Sequence, residues 1–317
     1  MHLFGYKGDA MHDAHTQMLP MPRSILISLE GNIGAGKSTL LRELAALGEP
    51  DVVVVQEPVG LWCEPALPDG RSMLDAYYGD RKGNALAFQM YAMLTRVQQL
   101  AEVSRLAETT PGLVIVTERS SWSDYELFGR PMRDSGLLGD AEWHAYTAWF
   151  EAVTRGRTDA GGEAQKGLRG GLPGVGVLMR PSGTAYLRCS PSKCLERVNR
   201  RARSAEDGTV DVGYLEMLHD AHERYVRGAS PPGPLGPPGP PGPPPSSGSS
   251  DAPPDAPQDA PPTVLYIDGS GEGPDHIRQC ALSLLAWARD LRTGGESPRT
   301  PLPGVPYTGC TTENGAE

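Results

Sequence analysis

Gly31, Asn32, Ile33, Gly34, Ala35, Gly36, Lys37 and Ser38 fit the spacing G-x-x-x-x-G-K-[ST], and Thr39 continues into a helix. Residues of these types at this spacing bind phosphate. The glycines let backbone N–H groups turn inward as an anion nest, the helix that follows adds its positive end, and Lys37 reaches the outer phosphates. The hydroxyl of Ser38 is available to Mg²⁺. Two further acids follow apolar runs: Glu57 after Val52–Val55, and Glu118, with Arg119 beside it, after Leu113–Thr117. A carboxylate just past the carboxyl end of a parallel strand lies on the edge where open α/β sheets bind ligands. Glu57 is therefore a candidate proton acceptor, and Glu118 stands where a phosphate-loop fold places its Mg²⁺ carboxylate. Lys193, Arg197, Arg200, Arg201 and Arg203 concentrate positive charge in one stretch, and guanidinium forks suit phosphate oxygens. Gln89 and Arg96, seven apart, lie two turns along one helical face and can share a pocket or be solvated.

The elements that must hold these groups are legible in outline. Ile25, Leu26, Ile27 and Leu29 read as a buried parallel strand leading into the glycine loop, and Leu40, Leu41, Leu44 and Leu47 mark one face of the helix after it. Val52–Val55 is expected as a second buried strand, stopped by Pro58. Residues 72–108 are mostly helical, and Leu113–Thr117, Ala185–Cys189 and Val264–Ile267 supply three more strands. Trp143, Tyr146, Trp149 and Phe150 stripe a helix over 140–155, which reads as packing or a subunit contact rather than a ligand box. The fold class is α/β, with a five-stranded parallel sheet flanked by helices.

Composition bounds the rest. The chain has 317 residues, enough for one large α/β domain, but 39 Gly and 31 Pro are too many for one and are clustered. The expected organisation is a tail over 1–23 and a domain over 24–291. A Gly-rich insertion (156–180) and a Pro/Gly-rich one (229–262) interrupt the domain, and a second tail covers 292–317. A net charge of −10 disfavours duplex nucleic acid as a partner. Five scattered cysteines indicate neither a disulfide framework nor a zinc site. No apolar run suggests a membrane span, and residues 1–23 lack the character of a leader, so the cytoplasm, or the nucleus, is the expected location.

Taken together, Glu30–Thr39, Glu57-Pro-Val-Gly-Leu-Trp-Cys63, Phe88–Arg96 and Glu118-Arg-Ser-Ser-Trp-Ser-Asp124 resemble the deoxyribonucleoside kinases, in the branch of the deoxycytidine and deoxyguanosine kinases. The resemblance covers roughly residues 24–155, 184–227 and 263–291, and Cys194 to Glu206 looks like the family's arginine-bearing lid. It implies a P-loop fold that binds ATP and Mg²⁺, with Ser38 and Glu118 holding the metal. Glu57 would take the proton from the nucleoside 5′-hydroxyl, steadied by Arg119. Arg197, Arg201 and Arg203 would close over the transferring phosphoryl group. Tyr78 and Glu206 would grip the sugar 3′-hydroxyl, Phe88 and Phe128 would sandwich the base, and Trp62 and Ile33 would line the pocket. A homodimer through helices near 90–105 and 140–155 is implied as well.

Hydrogen-bond polarity bears on the base. Gln89 offers a donor and an acceptor to a Watson–Crick edge, and Asp124, paired with Arg96, presents an acceptor suited to an exocyclic amino group. Thymine would oppose a carbonyl to that carboxylate, so deoxycytidine and purine deoxynucleosides are the expected substrates. The family's usual arginine after the Asp is Tyr125 here, and the lid has one extra residue after Gly208. A nucleoside monophosphate kinase and a non-catalytic nucleotide-binding relative are the alternative readings. The joint presence of Lys37, Glu57, Glu118 and the arginines speaks against the second.

Overall fold

The computed structural model describes residues 23–154, 179–201, 209–228 and 263–294. Arg203, Glu206, both tails except Arg23 and residues 292–294, and the insertions except Met179 and Arg180 lie outside the described residues. In chain order the elements are β1 (Ile25–Glu30), α1 (Lys37–Ala46), β2 (Val52–Val55), α2 (Val59–Cys63), α3 (Met73–Gly79), α4 (Arg81–Thr109) and β3 (Val114–Glu118). There follow α5 (Ser121–Asp124), a π turn (Tyr125–Gly129), α6 (Arg130–Asp134), α7 (Asp140–Thr154), β4 (Gly183–Arg188), α8 (Pro191–Arg201), α9 (Val212–Val226), β5 (Thr263–Asp268) and α10 (Pro274–Arg292).

All five strands are parallel, in the order β2-β3-β1-β4-β5. Alternation along β1 explains why helices cover both faces. Ile25, Ile27 and Leu29 join Leu40, Leu44, Leu284 and Trp287 of α1 and α10 in one core. Leu26 points the other way, with Ile115, to meet Met93, Val97 and Leu100 of α4 and Tyr146 of α7. Each such buried side chain contributes about 1.5–3 kcal/mol, and the two-sided burial of β1 fixes its register. From β1 the chain moves to one side for β2 and β3 and to the other for β4 and β5. A crevice is expected at the carboxyl ends where that order reverses.

One expectation needs correction. Val52–Val55 is an edge strand and only half-buried, because β3 and not β2 neighbours β1. Residues 72–108 are mostly helical as expected, in two helices that meet at Asp80, whose side chain accepts from Gly83 N–H and so caps α4. The final helix ends at Arg292, whose Nη1 lies 2.8 Å from Asp51 Oδ2, and Arg289 pairs with both Glu49 and Asp51. Those ion pairs tie α10 to the start of β2.

The aromatic stripe of α7 is packing. Tyr125 stacks on Phe150 at 4.3 Å between ring centroids and on Trp143 at 5.2 Å. Gly129 closes the π turn, where a Cβ would collide with the Tyr146 ring. No described helix is long and apolar enough to cross a membrane.

Candidate active site

The ends of β1, β2 and β3 open on a cavity of about 990 Å³ that runs from the glycine loop to the aromatic side chains of α2, α3 and α4. At one end lie Ile33 to Thr39. Gly34 has φ +80, and a Cβ there would come within 2.5 Å of the Cys194 carbonyl oxygen, so only glycine lets the loop pass α8 so closely. Lys37 Nζ donates to the carbonyls of Gly31 and Asn32, 3.1 Å each, and stands 3.7 Å from Glu118 Oε1. Burial chiefly, with Arg119 adding to it, lowers its pKa to about 8 against the opposing pull of Glu118, Glu57 and Glu30.

Ser38 Oγ donates to Glu118 at 2.9 Å. A hydroxyl and a carboxylate, oxygen donors only and with an ammonium already beside them, fit a hard cation such as Mg²⁺. Asn32, by contrast, turns away from the cavity: its Nδ2 donates to Leu215 O at 2.8 Å and its Oδ1 accepts from Ile33 N–H.

Glu57 enters at mid-cavity from the end of β2. Arg96 Nη2 donates to its Oε1 at 2.9 Å, and Arg119 Nε lies 3.4 Å from the same oxygen. Burial works to raise this carboxyl, but Arg96, Arg119 and Lys37 outweigh it and hold the pKa below the ordinary value. Glu57 is therefore an anion at neutral pH. Arg119 also donates from Nη2 to Gly31 O at 3.0 Å, which links the strand-end acid to the phosphate loop, and its guanidinium lies 4.8 Å from the Phe128 ring centroid.

Trp62, Tyr78, Phe88, Gln89 and Phe128 line the other end. Trp62 meets Phe88 edge-on at 5.6 Å and is held by an indole N–H bond to Thr95 Oγ1. The guanidinium of Arg81 sits over both Tyr78 and Tyr214. Arg96 and Asp124 pair, as the resemblance implied, Nε to Oδ2 at 2.5 Å, but the pair is buried and does not line the cavity. Gln89 does. Arg96 Nη1 also donates to Glu118 O at 2.8 Å, so one side chain reaches the ends of β2 and β3 and the α5 acid.

Arg197 and Arg201 both border the glycine-loop end, together with Arg200. Arg197 is not poised over open space. Its donors meet the carbonyls of Ala35 at 3.0 Å, Gly269 at 2.7 Å and Gly271 at 3.0 Å, bracing the phosphate loop against the β5–α10 turn.

Several residues here escape sequence reasoning. Asp268, Gly269, Gly271, Glu272 and His276 line the glycine-loop end, and Tyr77, stacked on Phe88 at 4.8 Å, lines the aromatic end. Their only signal is a Gly-rich turn after a strand and a doubled tyrosine. Glu30 lies within the loop motif yet is fully buried, bonded by Ser28 Oγ and 3.5 Å from Arg119 Nη1; burial raises its pKa. His222 reaches Arg119 from α9.

The chain is also similar in sequence to known proteins. A sequence profile of the family described as "Deoxynucleoside kinase" matches residues 27–162 and 174–242. Deoxycytidine kinase 2 of Gallus gallus is 32% identical over 213 residues, covering 63% of this chain and 73% of that protein. A probable deoxycytidine kinase of fowlpox virus is 32% identical over 200 residues (63% and 71%). The mitochondrial deoxyguanosine kinase of Xenopus laevis is 29% identical over 211 residues (63% and 72%).

Proposed function

Because the chain belongs to the deoxynucleoside kinase family, in its deoxycytidine and deoxyguanosine kinase branch, we propose that it phosphorylates the 5′-hydroxyl of deoxyribonucleosides with ATP. Deoxycytidine, deoxyadenosine and deoxyguanosine would be its substrates ahead of thymidine, and the 5′-monophosphates would enter nucleotide salvage. The observation that carries this reading is the placement of Glu57, an ionised carboxylate between a phosphate loop and an aromatic pocket, held by two arginines.

In this reading Glu57 accepts the 5′-hydroxyl proton as that oxygen bonds to the γ-phosphorus and the bond from that phosphorus to the β–γ bridging oxygen breaks, releasing ADP. Arg119, fixed between Glu57 and the loop, steadies both the carboxylate and the reacting oxygen. Lys37 and the loop backbone hold the β- and γ-phosphates, and Arg201 adds charge from α8. Arg197 serves the same end indirectly, by bracing the loop. Ser38 and Glu118 would hold Mg²⁺, which when bound with ATP offsets the phosphate charge. Phe88 and Phe128 take the base faces, Tyr78 the sugar, and Gln89 the base edge, with the Arg96–Asp124 pair setting the polarity next to it. The same reading includes a homodimer through α4 and α7; Leu94 and Leu106 of α4 are exposed.

The test is a panel of the four deoxynucleosides and a deoxynucleoside monophosphate with ATP and Mg²⁺, on wild type and Glu57→Gln. Deoxycytidine and the purine deoxynucleosides should be phosphorylated, and the variant should lose about 10²-fold or more in kcat. Full kcat in Glu57→Gln would remove the assigned base. Thymidine turned over with kcat/KM equal to that of deoxycytidine would overturn the base preference.

A further inference from the structure

Among the described residues Arg119 is the one non-glycine whose backbone lies in the left-handed region, with φ 66. Such a conformation persists only where its surroundings over-determine it. Here they do so on every edge of the guanidinium. Nε faces Glu57, Nη2 donates to Gly31 O, and Nη1 has two neighbours, Glu30 Oε2 at 3.5 Å and His222 Nε2 at 3.4 Å. Glu30 and Gly31 belong to β1 and its loop, and Glu57 follows β2. His222 comes from α9, on the far side in sequence.

His222 is fully buried, and its tautomer can be read from its other nitrogen. Nδ1 lies 2.6 Å from Leu218 O. A carbonyl only accepts, so Nδ1 carries the hydrogen and a neutral ring leaves its lone pair on Nε2, toward Arg119. The neutral form is the one this site favours. Burial first, then Arg119, with Lys37 and His219 adding to it, push its pKa well below the ordinary value, the Leu218 bond opposing. The Tyr186 ring stacks on the imidazole at 5.8 Å. The same helix accepts Asn32 Nδ2 at Leu215 O, so α9 touches both the phosphate loop and the arginine.

We propose that His222 is a positioning residue for Arg119: a neutral acceptor on α9 that fixes the rotation of the guanidinium so that it meets Glu57 and the reacting oxygen in one orientation. The proposal rests on Arg119 acting at the reacting centre. It assigns His222 no contact with substrate. Its effect is transmitted through one nitrogen.

Two variants separate this role from packing. His222→Phe keeps a ring against Tyr186 and removes the acceptor; His222→Gln can return an oxygen near the Nε2 position. His222→Phe should lower kcat about 10- to 100-fold, leaving KM for deoxynucleoside and for ATP within ~3-fold, and His222→Gln should recover most of the loss. Equal losses in both variants, or none in His222→Phe, would overturn the proposal. The ¹⁵N spectrum of the His222 ring in the wild-type protein gives a readout independent of turnover. It should show the Nδ1–H neutral tautomer, unchanged between pH ~6 and ~8. A charged ring or an Nε2–H tautomer would sink the idea. Should His222→Phe not fold, the spectrum alone decides. A wild-type protein inactive on every nucleoside would remove the proposed function and still leave the tautomer to be read.

Discussion

Lys37 is a cation in a place that resists cations. Its pKa of about 8 means that the free protein loses this charge as pH rises through that value. The folded value lies below the ordinary lysine value of 10.5, so between the two the folded state binds fewer protons than the unfolded one. This group's contribution to the stability of the free protein therefore rises with pH across that window, while phosphate binding, which needs the charged form, weakens. ATP affinity measured by equilibrium titration should fall as pH rises above about 8, by up to about tenfold per pH unit. A flat affinity to pH ~9.5 would show that the ammonium stays charged. Lys37, Glu57 and Glu118 could be found in the sequence because each follows a short apolar strand, and a strand end is a predictable place. Glu30 and His222 could not. What marks them is burial against Arg119, a contact 89 residues away for one and 103 for the other. In the sequence His222 is one polar residue on an ordinary amphipathic helix, four positions from Leu218.

At the scale of elements, the π turn between α5 and α6 shows what local patterns omit. The sequence marks Asp124 and Phe128 as site residues but carries no sign that the backbone between them widens. The widening follows from packing: Tyr125 is drawn into the α7 aromatics, and Gly129 leaves room for the Tyr146 ring. Gly129→Ala should therefore destabilise the protein by about 1–3 kcal/mol in denaturant unfolding, because the added methyl meets an aromatic ring in a filled core. A variant as stable as wild type would mean that α7 can shift at no cost. The strands were more legible than this turn, since period-2 burial is written in β1 itself. The exception is β2, whose four valines suggest two covered faces although strand order leaves it at the edge.

At the scale of the whole molecule, Asp51 joins the start of β2 to the last described helix. It sits just before β2, the strand that carries Glu57, and receives Arg289 and Arg292 from α10. The Arg289 hydrogen bond chiefly, then that of Arg292 against the opposing effect of burial, lowers the Asp51 pKa. This depressed value stabilises the fold above the unfolded value and is lost as pH falls through the folded one. Both partners are partly solvated, so Asp51→Asn should cost only about 1 kcal/mol at neutral pH, measured by denaturant unfolding, and the gap to wild type should close in acid. A gap that persists at low pH would point to packing and not charge. The last turn of this closing helix is held by charges just before a distant strand. Arg96 reaches across three elements in a similar way, with Glu57, Glu118 O and Asp124 on one guanidinium. Under the proposed function, in which the Arg96–Asp124 pair sets the polarity beside the base and Glu57 accepts the proton, base choice and turnover are inherited together. A lineage that altered Arg96 to admit a new base would unmoor its proton acceptor in the same step, so Gln89, which faces the cavity outside that triad, is where such drift could begin.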